Sequence, residues 1–365
     1  GKAMASDQLW HQHYQAGVPV EVEWPDGPLD GLLRRSAEQY PDQSALVFFD
    51  RALSYAEVDE IVDQLSAGLQ DLGLKPGDRV SLFMPNCPQL VMAYHAVWRC
   101  GAVAVPSNPL YTTAEFSHQA RDAGSRFAVV LSMLYDRVKE MREDTPLERV
   151  IVTNIKEYFP ALLRVLFTVV REKKEGHRVE LASKDDIWFQ SLLSEAGPTP
   201  DMVEVGPEDT ACLIYTGGTT GLPKGAELTH RNVVSNAVAG SYWSHSRDAG
   251  EVSIGALPFF HSYGMTAVMN MTIATAGTMV LSPDPRDVMH IMGSISRHRA
   301  TFYSAVPTSY VRINTHPQVK EFDLSSVRVC LSGAAPLPLQ VQEAFHAITG
   351  ATLVEAFGMT ESSPA

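Results

Sequence analysis

A chain of 365 residues, 45% of them hydrophobic, is long enough to bury a large core and to divide into two or three lobes. Its net charge of −13 excludes a general affinity for nucleic acid or anionic lipid, so a site for a polyanion has to gather positive charge locally. No apolar run reaches the length of a membrane span, and no charged-then-apolar leader precedes Trp10.

Strand-like and helix-like runs alternate along the chain. Ser44–Phe49 reads as a strand and Tyr55–Leu72 as a helix; Arg79–Met84 reads as a strand and Pro88–Cys100 as a helix. Strands follow at Phe127–Leu131 and Arg149–Val152. Next comes an apolar patch, Phe159–Val170, broken by Arg164 and followed by the basic run Arg171-Glu-Lys-Lys. Phe159, Leu162, Leu163, Leu166 and Val170 share one helical face. That face predicts either a helix packed on its own domain or a dimer partner, or one lying on a membrane surface. Ala211–Ile214 is strand-like, and Leu228–Val234 reads as a turn opening a helix. The last strands are Val252–Leu257, Thr278–Leu281, Thr301–Ser304 and Val327–Leu331. Such alternation predicts α/β lobes with largely parallel sheets, in which ligands sit at the carboxyl ends of strands. Cys87, Cys100, Cys212 and Cys330 show no metal-ligand spacing and sit in apolar contexts, as small buried hydrophobes in a reducing cytoplasm do.

The stretch richest in chemistry is Tyr215-Thr-Gly-Gly-Thr-Thr-Gly-Leu-Pro-Lys-Gly225. Its glycines let backbone N–H groups approach an anion, its threonines add hydroxyl donors, and Lys224 adds a mobile charge. Pro223 before Lys224 and Gly225 after it depart from the Walker A pattern. Read alone, the stretch is either a polyphosphate cradle or a Gly/Thr-rich surface turn.

The whole loop is similar to the phosphate loop of the adenylate-forming enzymes, the superfamily of acyl-CoA synthetases, luciferases and peptide-synthetase adenylation domains. Three further stretches resemble that family's motifs in the same order: Leu257-Pro-Phe-Phe-His-Ser-Tyr-Gly264, Ser332-Gly-Ala-Ala-Pro-Leu337 and Phe357-Gly-Met-Thr-Glu-Ser362. Gly218, together with His13–Pro19 and Asn108–Thr112, resembles the long-chain fatty acid–CoA ligases in particular. The resemblance runs over nearly the whole chain from about Trp10. It implies an N-terminal adenylation domain over 7–365, built of two packed α/β lobes. One lobe is expected over 75–235, with an amphipathic insertion at 156–180, and the other over 30–74 plus 236–365. No Tyr-Arg-Thr-Gly-Asp-like ribose motif, hinge or catalytic lysine of a C-terminal domain occurs in the sequence. The resemblance therefore implies the N-terminal portion of a longer enzyme, weakly active or inactive alone.

The chemistry implied is attack of a carboxylate on the α-phosphorus of ATP, then thiolysis of the acyl-adenylate by CoA. Neither half needs a protein nucleophile; the residues align reactants and stabilise charge. By resemblance, Thr216, Gly217, Gly218, Thr219, Thr220, Gly221 and Lys224 cradle the β- and γ-phosphates. Gly333, Ala334, Ala335, Pro336, Glu355, Ala356, Phe357, Gly358 and Thr360 bind the nucleotide, with Phe357 stacked on adenine and Thr360 donating to the α-phosphate. Glu361 holds Mg²⁺, a hard cation that wants carboxylate oxygen. Lys224, His261, Thr360 and Glu361 are the candidate catalytic residues. His261, Tyr263, Gly264, Met265, Val306, Thr308 and Gly333 wall the acyl pocket. Taken singly, His261 equally reads as a structural histidine, Phe357 as a core aromatic and Glu361 as a helix N-terminal carboxylate. ATP, Mg²⁺, CoA and a long-chain fatty acid are the expected ligands, with no nucleic acid. A cytoplasmic protein is expected, a setting compatible with peripheral contact at the inner face of a membrane and with a homodimer. The alternatives are an adenylate-forming ligase for another acid, such as an aryl or medium-chain acid, and a fragment that binds nucleotide without catalysis. Glu227 has no evident reading, and Ala356 stands where many relatives carry Gly.

Overall fold

The computed structural model describes residues 9–217 and 222–365. Its strands, in chain order, are β1 (Ser44–Phe48), β2 (Arg51–Ser54), β3 (Arg79–Phe83), β4 (Val103–Ser107), β5 (Ser125–Leu131), β6 (Arg149–Thr153) and β7 (Asp186–Trp188). They continue with β8 (Thr210–Thr216), β9 (Lys224–Thr229), β10 (Val252–Gly255), β11 (Thr278–Leu281), β12 (Phe302–Ala305), β13 (Val329–Ser332) and β14 (Thr352–Glu355). They form two seven-stranded sheets, ordered β14-β13-β12-β10-β11-β1-β2 and β7-β6-β5-β3-β4-β8-β9. Every pairing is parallel except β1–β2 and β8–β9, so each sheet ends in one antiparallel edge hairpin. The inner strands β4 and β5 are almost wholly buried, as sheets covered on both faces require.

Local sequence explains where the helices start. Ser54 and Glu57 close a reciprocal capping box at the head of Tyr55–Asp71, with bonds of 3.2 and 2.7 Å. Thr112 with Glu115, and Thr229 with Asn232, do the same for Thr113–Ala123 and His230–Trp243. The larger apolar cluster joins residues of both sheets, Phe83 and Phe127 with Leu46 and Met279, while a second cluster around Ile254, Tyr303 and Phe345 involves the first sheet alone. All four cysteines are free and buried.

Two sequence expectations change. The segment after the glycine-rich loop does not turn directly into a helix: Lys224–Thr229 is a strand that runs back antiparallel along β8, and the helix begins only at His230. The loop is therefore a hairpin tip. Six residues, Lys-Gly-Ala-Glu-Leu-Thr, with little β-branched content carry almost no strand signal of their own. Glu227 now has a place. It lies exposed on the edge strand β9 and accepts a hydrogen bond from the Thr210 hydroxyl, and a charge on a free sheet edge discourages pairing with another chain. Second, the helix Ala161–Val170 docks mainly through Phe167 and partly through Leu163, leaving Leu162, Leu166 and Val170 exposed.

Candidate functional site

The four motif stretches all leave carboxyl ends of strands. Thr216 closes β8 and Lys224 opens β9; the two are register partners, and the Thr216 hydroxyl donates to the Lys224 carbonyl at 3.4 Å. Gly218, Thr219, Thr220 and Gly221 lie outside the described residues. Gly217 and Lys224 are exposed at the foot of the hairpin tip. Tyr215 fixes this foot. Its hydroxyl donates to Asp122 at 2.6 Å, and its ring covers Gly225 so closely that a Cβ there would stand 3.0 Å away.

The second stretch begins where β10 ends. Asn86, buried just after β3, ties it to the other sheet: its Nδ2 donates to the carbonyls of Gly255 and Leu257, both at 2.9 Å, and its Oδ1 accepts from the Phe259 amide at 2.9 Å. Tyr94 adds a 2.6 Å bond to the Phe259 carbonyl. These two positioning residues escaped the sequence reading; the available signal was an Asn at a strand end just ahead of a Pro-initiated helix. His261 then caps the next helix, its Nδ1 accepting from the Tyr263 amide at 3.2 Å. Burial lowers its pKa, so the ring is neutral at physiological pH, carries its proton on Nε2 and offers it to the open side. Gly264 is dictated by contact: a Cβ would lie 2.1 Å from the Pro258 carbonyl oxygen. The helix then widens into π geometry over Met265–Asn270, where Asn270 Nδ2 donates to the Met265 carbonyl at 2.9 Å. Met265 is fully buried.

The third stretch follows β13. Gly333 donates to the Ala305 carbonyl at 3.1 Å and lies directly beneath the Tyr263 ring. Ala334 takes a left-handed conformation, φ 68°, and turns Ala335 and Pro336 out to solvent. Val306 is half-buried against the large apolar cluster, whereas Thr308 is exposed on the first turn of Pro307–Asn314. The hydroxyls of Ser262, Tyr263, Thr266, Ser304 and Ser332 are buried with no hydrogen-bond partner among the described residues. Burial drives the Tyr263 phenol well above its usual pKa, so it stays a donor.

The fourth stretch bridges the others. The Ala356 amide donates to the Ser332 carbonyl at 2.7 Å, and Glu355 accepts from the Leu337 amide at 2.8 Å, which fastens the third loop to β14. Phe357 is 85% exposed, its aromatic face turned to solvent rather than to the core. Gly358 faces a backbone carbonyl that a Cβ would approach to 2.2 Å. The turn Thr360–Ser362 packs against β9, and Asn236 Nδ2 donates to the Ser362 carbonyl at 3.3 Å. Thr360 is buried there and Glu361 exposed, in a turn that packs against the strand Lys224 opens. Among the described residues no group of three or more His, Cys, Asp or Glu could cage a metal by itself. A lone exposed carboxylate at Glu361 fits instead a cation that arrives on phosphate oxygens.

A sequence profile of AMP-binding enzymes matches residues 33–365. A long-chain-fatty-acid–CoA ligase of Bacillus subtilis is 35% identical over 99% of the chain, and one of Escherichia coli O157:H7 is 32% identical over 98%. The chain spans 65% and 64% of the lengths of these two relatives. Among solved structures, a long-chain-fatty-acid-CoA ligase from Archaeoglobus fulgidus superposes with a TM-score of 0.79 at 25% identity, covering 96% of this chain and 67% of that one. An anthranilate CoA ligase in complex with anthranoyl-AMP superposes equally well, at 0.79, covering 92% of this chain and 60% of that one, and at 22% identity it speaks for the fold alone. The fold is that of the N-terminal domains of adenylate-forming enzymes, and the chain belongs to the family of AMP-binding enzymes.

Proposed function

We propose that the protein activates a long-chain fatty acid with ATP through an acyl-adenylate and passes the acyl group to CoA, and that this chain carries the ATP- and acyl-binding part. The observation that supports it most is the arrangement of the four loops: a cationic Gly/Thr hairpin, a neutral His261, an exposed Phe357 and an exposed Glu361 at the carboxyl ends of strands. Relatives named long-chain-fatty-acid–CoA ligase direct the choice of acid.

In this reading Thr216, Lys224 and the hairpin tip hold the β- and γ-phosphates, Thr360 holds the α-phosphate, and Phe357 stacks on the base. Glu361 would be the protein ligand of Mg²⁺, a cation that would supply charge neutralisation at the triphosphate. His261 donates its Nε2 proton toward the acyl carboxylate and orients it. Tyr263, Gly264, Met265, Val306 and Gly333 shape the acyl slot, and Thr308, exposed, lies at its margin. The orphaned hydroxyls supply donors near the reacting polar groups. The attacking carboxylate and the leaving pyrophosphate need no covalent help from the protein, so alignment is its main contribution. The four buried free cysteines fit a reducing cytoplasm.

A panel of carboxylic acids assayed with the natural full-length protein tests this, by acid-dependent ATP–pyrophosphate exchange and by acyl-CoA formation. Preference for C14–C18 acids supports the reading. Exchange driven by an aryl or short acid instead would redirect the substrate and leave the adenylate chemistry standing.

A further inference from the structure

On the reading of the β8–β9 hairpin as the β- and γ-phosphate site, we infer that Asp122 is its positioning residue. Through the Tyr215 hydroxyl it holds the hairpin at the tilt that presents Lys224 to the triphosphate.

The hairpin needs such a tether. β8 pairs with β4 only at Cys212, opposite Ala104, while Leu213–Thr216 pair with β9 alone. β9 is the edge strand of its sheet. The foot of the hairpin therefore stands clear of the parallel ladder, and a two-stranded ribbon is marginally stable by itself. Among the described residues, the 2.6 Å bond from Tyr215 to Asp122 is the one side-chain hydrogen bond that leads from positions 213–217 and 222–225 to another element.

Tyr215 can pass that hold on to Lys224. It is the register partner of Gly225, and its ring lies so close that a Cβ on Gly225 would meet Cε2 at 3.0 Å and Cζ at 3.1 Å. One position on, Thr216 pairs with Lys224. The hydroxyl, ring and backbone of Tyr215 thus connect Asp122 to the strand that Lys224 opens. Burial, and after it the bond to Asp122, push the phenol's pKa up, so it keeps its proton and donates. A carboxylate acceptor makes this a charge-assisted bond.

The place of Asp122 points the same way. It is the penultimate residue of the helix Thr113–Ala123, which ends at Gly124 in the left-handed conformation, φ 65°. A carboxylate in the last turn faces the negative end of the helix dipole. The helix gains nothing from an acid there; the hydrogen bond Asp122 accepts comes from Tyr215.

Calorimetric titration of the natural full-length protein with Mg²⁺–ATP and with AMP tests this on Tyr215→Phe, Asp122→Ala and Asp122→Asn. Tyr215→Phe keeps the ring on Gly225 and loses only the donor. It and Asp122→Ala are each expected to weaken ATP binding about five- to tenfold, while AMP binding and the melting temperature hold. The double variant is expected to lose no more than either single one. Asp122→Asn, whose amide oxygen still accepts, is expected to keep most of the affinity. Equal losses for both nucleotides, additive losses in the double variant, or unchanged ATP binding in the single ones would overturn the assignment. Lys224→Ala, run alongside, keeps the two readings apart. ATP loss there with none in Tyr215→Phe refutes the tether alone, whereas no loss in Lys224→Ala removes the phosphate site on which the tether rests.

Discussion

The ring of Tyr263 closes over Gly333, so a methyl group at position 333 would stand 2.7 Å from Cε1 of the tyrosine. That contact couples the second and third motif loops, since Tyr263 sits on the helix capped by His261 and Gly333 ends the β13 turn. Gly333→Ala is expected to push Tyr263 and the head of its helix aside, at about 1–3 kcal/mol of overpacking. If the pocket absorbs that strain, adenylation measured by ATP–pyrophosphate exchange falls about tenfold or more, and adding Tyr263→Ala restores part of it. A fully active Gly333→Ala protein would mean that the two loops move independently.

Lys224→Ala is expected to weaken ATP binding more than AMP binding, because Lys224 opens the strand at the foot of the hairpin tip, where the β- and γ-phosphates are proposed to lie. A charged hydrogen bond of this kind is worth about 1.5–3 kcal/mol. Calorimetric titration with both nucleotides decides it; equal losses would remove Lys224 from the pyrophosphate side.

Glu361→Gln keeps the side chain's shape and loses the charge a hard cation needs. Since Glu361 is exposed on a turn packed against β9, the change is expected to leave the fold intact and to raise the Mg²⁺ concentration required for pyrophosphate release. A Mg²⁺ dependence identical to that of the unaltered protein would show that the cation is held elsewhere.

The motif loops were legible in sequence because they combine chemistry-bearing residues with glycines, and in two of them close backbone contacts demand the glycine. Gly264 and Gly358 are the clearest cases, each facing a carbonyl oxygen that a Cβ would meet at 2.1 and 2.2 Å. The buried parallel strands were legible as apolar runs, and Thr278–Leu281 has the same bounds in both readings. What was not legible depends on partners far away in the chain. Asn86 acts on Phe259 from 173 positions off, and its place at a strand end does not reveal that partner. The strand β9 is held by pairing with β8 rather than by its own propensity. The Ala161–Val170 pattern identified an amphipathic helix, but which arc the core takes was settled by Phe167, a residue outside the predicted face.

Acid should destabilise the fold through two buried histidines. Burial lowers the pKa of His177 and of His230 to about 4 in each case, from 6.5. His230 Nδ1 accepts from the Leu29 amide at 3.0 Å, at the head of helix Asp30–Gln39, so protonating that nitrogen abolishes the bond. Both folded-state values lie below the unfolded one. The stability is therefore complete above pH 6.5 and is lost as pH falls toward 4, where the unfolded chain binds protons that the folded one refuses. His230→Gln is expected to flatten the fall in urea midpoint between those limits. A midpoint that stays level from pH 7 to pH 4.5 in the unaltered protein would contradict the assignment.

Arg99 carries the most demanding buried charge of the molecule's interior. Its guanidinium, with 3% side-chain exposure, reaches Asp30 at 2.9 Å, Asp59 at 2.5 Å and Asp63 at 2.8 Å, tying together the helices Asp30–Gln39, Tyr55–Asp71 and Pro88–Arg99. Burial pushes the Asp30 carboxyl up, but His95, with Nδ1 at 3.5 Å, and the Arg99 charge outweigh it and hold that carboxyl well below the usual range. Arg99→Ala leaves the buried Asp30 carboxylate only the half-exposed Arg34, at 3.1 Å, and His95 beside it, and is expected to cost about 3–5 kcal/mol. Asp30→Leu with Arg99→Met removes both members of the most buried pair, and well-packed apolar replacements of a buried ion pair are often close to neutral. The double variant is therefore expected to regain most of the loss in urea unfolding, even though Asp59 and Asp63 remain, because those two are more exposed than Asp30 and can turn to water. A double variant as unstable as Arg99→Ala would show that Asp59 and Asp63, rather than Asp30, are the groups that need the guanidinium.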